Sequence, residues 1–170
     1  MSLNFKTIFT VTAFIFSLGA NAQMVIVENL QPLLGFWEGE LTYLNYNSDE
    51  ESTIKANLLV GQKKDKNEFF LSNRYPDEKS ANSSYKVVLS KDGMEINKKP
   101  ITSAQYLDDK SLEVVLEYEG KDNGKNVQIR HTYTVGKEHL SIKKEFKQKK
   151  AAKWTRRNEY RYKRSESDEL

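Results

Sequence analysis

Leu112-Glu113-Val114-Val115-Leu116-Glu117-Tyr118-Glu119, then Lys121-Asp122-Asn123-Gly124, then Asn126-Val127-Gln128-Ile129-Arg130-His131-Thr132-Tyr133-Thr134-Val135: this stretch decides the fold. In the first run Leu112, Val114, Leu116 and Tyr118 share one phase. In the second the shared phase holds Val127, Ile129, His131, Tyr133 and Val135. A repeat of two puts alternate side chains on opposite faces, which is the pattern of a strand with one wet and one dry face. Asn-Gly between two such runs is a strong hairpin signal, because both residues tolerate the left-handed backbone of a tight turn. Gly136-Lys137 turns the chain again, into 138–147 with Leu140, Ile142 and Phe146 in register.

The same pattern extends outward in both directions. Strands are predicted at residues 35–46, 51–60, 68–75, 84–90, 94–97, 101–107 and, after the central three, 153–163. Lys91-Asp92-Gly93 supplies a further tight turn. Apart from the N-terminal leader, only residues 25–33 suit a short helical turn. About ten evenly spaced strands joined mostly by hairpins predict an all-β, antiparallel up-and-down barrel of about 8–10 strands, since closure removes exposed edges. An open sandwich of two sheets is the alternative.

The N-terminus reads differently. Lys6 is the only charge before position 28, an apolar run of about a dozen residues follows, and Ala20-Asn21-Ala22 presents a small-x-small site. These are the parts of a secretory signal peptide cleaved after Ala22, and the run is too short to span a bilayer. The expected organisation is a signal peptide over 1–22, a single barrel domain over 23–164 and an acidic flexible tail over 165–170. The protein is then exported, periplasmic or secreted. The 170-residue chain has no Cys, which excludes disulfides, thiolate metal sites and thiol chemistry.

Charge is unevenly placed. The formal net charge is +3, and loss of Lys6 with the leader makes it +2. Between Lys143 and Arg164 eleven Lys and Arg face only Glu145 and Glu159. Such a stretch, with Phe146, Trp154, Tyr160 and Tyr162 interleaved, suits an anionic envelope surface or simply a solvated outer face. Export argues against nucleic acid as a partner.

Gly35-Phe36-Trp37, at the head of the first predicted strand and just after the short helical turn, resembles the opening of the calycins, the superfamily of lipocalins and fatty-acid-binding proteins. The resemblance implies that Trp37 plugs the closed end of a barrel and that a basic residue of the last strand covers its ring. Arg161 is the expected partner, with Gly35 and Trp37 completing the barrel end. Residues 45–52 leave no room for the two helices of the fatty-acid-binding branch, and Tyr160-Arg161-Tyr162 lacks that branch's Arg-x-Tyr spacing. Lipocalin-like exported bacterial barrels are therefore the closer comparison, and a small lipophilic or amphipathic ligand is what they imply.

Polar residues in the inward phase mark the candidate site. His131 lies between Ile129 and Tyr133, Lys144 between Ile142 and Phe146, and Arg156 on the last strand. Burying a charge is costly unless a partner or an anionic ligand meets it. His131, Tyr133, Lys144 and Arg156, with Tyr43 and Tyr85 on other strands, are the predicted ligand-binding residues. Two His in the whole chain argue against a metal or haem site, and no cofactor is expected. No nucleophile elbow, phosphate loop or metal triad is present, so the chain reads as a binding protein rather than an enzyme. The alternative is a non-enzymatic envelope interaction module whose barrel is filled by its own side chains and whose basic outer face does the binding.

Overall fold

The computed structural model describes residues 24–46, 48, 50–64 and 66–166; the predicted signal peptide and residues 167–170 lie outside them. Ten strands follow in order: β1 (Gly35–Leu44), β2 (Glu51–Gln62), β3 (Glu68–Arg74), β4 (Ser83–Val88), β5 (Glu95–Ile96), β6 (Lys99–Tyr106), β7 (Leu112–Asp122), β8 (Lys125–Val135), β9 (His139–Lys147) and β10 (Thr155–Arg164). All pairings are antiparallel, and the sheet runs β4-β3-β2-β1-β10-β9-β8-β7-β6-β5. The first and last strands are thus neighbours in the middle of the sheet. The outer strands meet through the single bridge Leu89↔Ile96, which makes the barrel nearly closed.

The alternation that predicts the strands also builds the interior. Across β1, β10, β9, β8 and β7 the register aligns inward residues into rungs. One rung holds Gly39, Tyr162, Leu140, Val135 and Leu112, and the next Leu41, Tyr160, Ile142, Tyr133 and Val114. The third holds Tyr43, Asn158, Lys144, His131 and Leu116. Polarity therefore rises from one end of the barrel to the other. The apolar end is dry: Trp37, Leu58, Phe69 and Leu71 have no exposed surface.

A 3-10 turn over Val27–Leu33 covers that dry end, with Leu30 and Leu33 buried beneath it. Turn chemistry sets the hairpins. Asn123 and Gly124 both take positive φ at the β7–β8 turn, as Asn-Gly implies. Asn97 and Lys98 do the same between β5 and β6, so β6 starts at Lys99, two residues before the predicted strand. A second 3-10 turn, Lys79–Ala81, interrupts the β3–β4 connection; no alternation signals it.

The start of the tail is not free. The Ser165 N–H donates to the Phe36 carbonyl (3.0 Å), and its hydroxyl donates to Glu38 (2.8 Å), extending the β1–β10 ladder by one step.

Candidate site at the open end of the barrel

At the dry end the expected tryptophan plug is present, but its covering cation differs. Arg164, not Arg161, lies over the Trp37 ring, 4.1 Å from its centre. Residues on β10 alternate faces, and Trp37 pairs in register with Arg164, which places that guanidinium on the inner side. Arg161 faces outward and pairs with Glu159 (2.8 Å). Arg164 also donates to the carbonyls of Pro32 (2.6 Å), Leu34 (2.8 Å) and Lys137 (2.5 Å). One side chain thus ties the 3-10 turn, the plug and the β8–β9 hairpin together. The Trp37 indole N–H donates to the Leu33 carbonyl (2.8 Å) from the other side. Gly35 sits here with φ +111, and a Cβ on it would lie 3.1 Å from the Arg164 guanidinium. The positive φ favours glycine, and the close guanidinium leaves a Cβ little room.

The opposite end holds the polar rung. His131 and Lys144 are direct cross-strand partners. The His131 ring lies edge-on between Tyr118 (5.9 Å between centres) and Tyr133 (6.3 Å). Its Nε2 is buried and has no hydrogen-bond partner among the described residues; the Tyr162 hydroxyl shares that condition. Burial, helped by the Lys144 cation, pushes the imidazole down to about 4, so it is neutral at pH 7. Burial likewise pushes the Tyr133 phenol up to about 12 and raises Tyr160 and Tyr162 further. The Tyr75 and Tyr160 hydroxyls are 2.8 Å apart, and the rings of Tyr160 and Tyr162 stack. Tyr43, Lys144, Asn158 and Tyr160 are only half-buried although they point inward. The result is a barrel end with aromatic side chains inside and polar ones around them.

Lys144 is balanced by a residue that sequence reading missed. Asp122 is 7 % exposed and accepts from Lys144 (3.3 Å) and from the Tyr46 hydroxyl (2.6 Å). Arg157 approaches the same carboxylate (3.9 Å), lies flat over the Tyr46 ring (3.4 Å) and donates to the Leu44 carbonyl. Burial and the bond to Asp122 raise the Tyr46 phenol to about 12. Asp122 stands in a turn-like Lys-Asp-Asn-Gly context, which gave no signal of burial. Its partners come from the β1–β2 and β9–β10 ends of the chain, which only the fold brings together.

Of the predicted ligand-binding residues, His131, Tyr133 and Lys144 meet inside the barrel, and Tyr43 occupies the same rung as Lys144. Tyr85 is in the inward phase of β4, paired with buried Leu71, yet remains 37 % exposed. Arg156 is elsewhere. A register shift between Arg156 and Asn158 inserts Arg157 as a bulge, so Arg156 pairs with Glu145 on the outer face. There it grips Glu51 (2.6 Å) and Glu159 (3.0 Å). Part of the basic outer stretch is matched by acids, Lys143 by Glu145 (3.6 Å) among them, and on the neighbouring β8 Arg130 meets Glu117 (2.6 Å). Trp154 is packed between Arg130 and Lys147. Among the described residues no three His, Asp or Glu side chains gather to hold a metal ion.

No protein-family model matches this chain, and no curated protein matches it either. The fold and the site geometry carry the functional argument alone.

Proposed function

We propose that this protein is an exported, lipocalin-like barrel of the calycin type, and that it holds a small lipophilic or amphipathic molecule at its polar end. The observation that carries this reading is an orphaned polar atom inside that end of the barrel, His131 Nε2. Buried polar groups are almost always satisfied, and leaving one without a partner costs about 1–3 kcal/mol. A ligand whose hydrogen-bonding end answers His131 Nε2 lies with its apolar body against Tyr118 and Tyr133. Neutral His131 can accept or donate according to its tautomer, so the polar end need not be charged. The Gly35-x-Trp37 opening with Arg164 over the ring supports the calycin comparison. The outer-face alternative is weakened by the acids that already engage Arg130, Lys143, Arg156 and Arg161.

The test is native mass spectrometry of the protein recovered from its exported fraction without detergent. The expected result is a reproducible excess mass that organic extraction removes and that His131→Phe diminishes. A bare polypeptide mass for the unmodified chain overturns the carrier reading in favour of the self-filled barrel.

A further inference from the structure

The barrel wall is not continuous. β5 is two residues long, and β6 pairs with β7 only from Ile101↔Leu116 to Tyr106↔Leu112. Beyond Leu116, residues 117–122 of β7 pair with β8 alone. On the other side, β4 pairs with β3 along its length, while its free edge finds partners only near its end. There the Asn97 N–H donates to the Val88 carbonyl (2.9 Å). The Asn97 side chain accepts from the Val88 N–H (2.9 Å) and donates to the Lys86 carbonyl (2.8 Å). Asn97 thus stands in for one step of a missing strand. Above the Asn97-Lys98 turn, Ser83, Ser84 and Tyr85 of β4 and residues 117–122 of β7 are the two unpaired edges of the wall.

The side chains at this seam are aromatic. Tyr85 lies on the β4 side, and Tyr118 on the β7 side, with Lys99 over its ring (4.6 Å). Tyr118 is in edge contact with His131. Along the inward face of β4, Val87 is 2 % exposed, Ser83 is exposed, and Tyr85 between them is 37 % exposed. Its hydroxyl makes no hydrogen bond to a described residue, whereas the axial mouth is laced across by Asp122, Tyr46, Arg157 and Lys144.

We propose that small molecules reach the interior through this lateral seam, with Tyr85 as its gate, rather than along the barrel axis. The proposal rests on the carrier reading for its purpose, but the passage exists or not irrespective of any ligand. A molecule suited to it is slim and largely apolar, since the walls are phenol rings and an imidazole. Bulky charged molecules are excluded by the same walls.

The experiment uses diethyl pyrocarbonate on the protein without its leader. This reagent transfers an ethoxycarbonyl group to a neutral imidazole nitrogen and releases ethanol and carbon dioxide. Peptide mass mapping gives the modification rate of His131 relative to His139, which is exposed and serves as the internal reference. Tyr85→Ala is expected to raise that ratio severalfold and Tyr85→Trp to lower it severalfold. Tyr46→Ala, which cuts the lacing at the axial mouth, is expected to leave it nearly unchanged. A ratio that rises with Tyr46→Ala and ignores both Tyr85 variants overturns the proposal in favour of axial entry. A ratio indifferent to all of them, or a His131 that stays unreactive in Tyr85→Ala, also overturns it. None of these outcomes depends on the mass-spectrometric test of ligand carriage.

Discussion

The two ends of this barrel are built from the same strands and solve opposite problems. At one end Trp37 is wholly buried, and the carbonyls exposed by the 3-10 turn are met by Arg164. The Trp37 indole N–H likewise finds the Leu33 carbonyl. At the other end inward side chains stay half-exposed, the rung reads Tyr43, Asn158, Lys144, His131, and the buried His131 Nε2 has no partner among the described residues. The difference separates a matched end, which holds the fold, from an end where a buried imidazole nitrogen is left unmatched.

Substitutions can break or sharpen that contrast. The largest effect is expected from Trp37→Ala, a cavity in the driest part of the core, at about 3–5 kcal/mol of stability. Tyr43→Ala on the half-buried rung should cost clearly less, and urea unfolding of both variants checks the ordering. Next comes Arg164→Ala, which removes the ring contact and strands three carbonyls, for a loss of roughly 2–3 kcal/mol. Arg161→Ala, its outward neighbour, should stay within about 0.5 kcal/mol. Equal losses for the two arginines would end the claim that the Trp37 end is held by Arg164.

The third prediction concerns acid. His131 binds a proton less readily in the folded chain than in the unfolded one, because its imidazole is pushed from 6.5 down to about 4. Between those values the unfolded state carries the extra proton. Stability therefore falls as pH drops through that window and is fully present above about 6.5, the ordinary imidazole value. His131→Phe should flatten this part of the profile by about 2 kcal/mol, seen as a smaller shift of the urea midpoint between pH 7 and pH 4.5. An unaltered slope would mean that the imidazole is wetter than its position between Tyr118 and Tyr133 implies. The smallest effect belongs to Arg156→Ala. As an outer-face ion pair it should cost less than about 1 kcal/mol and leave the ligand mass unchanged.

Most of the architecture was legible because alternation is a local property. Each strand carries its own inward set, and turn residues such as Asn123-Gly124 mark where one ends. The errors come from places where local pattern gives no purchase. Arg156, Arg157, Asn158 and Glu159 are all polar, so a bulge among them leaves no trace in the hydropathy and moves Arg156 to the other face. Arg161 and Arg164 are equivalent as sequence; only the pairing of Trp37 with Arg164 separates them. Asp122 is hidden in a turn motif because its partners are distant in the chain. The inward placement of His131, Tyr133 and Lys144 was legible because a polar residue among apolar ones in the same phase is itself a pattern. The seam depends on β5 being two residues long, a boundary too fine for alternation to resolve.

The join between β1 and β10 sets the timetable of folding. The contacts that seal the dry end link residues 130 positions apart, Leu34 to Arg164. Hairpins β2–β3 and β7–β8 can form as soon as their own residues exist, but no partial chain can seat Trp37 beneath its cation. Closing so long a loop is entropically costly and slow compared with hairpin formation. A chain delivered from its N-terminus stays open until its last strand arrives. That delay makes truncation near the C-terminus far more damaging than the loss of a few exposed residues would suggest.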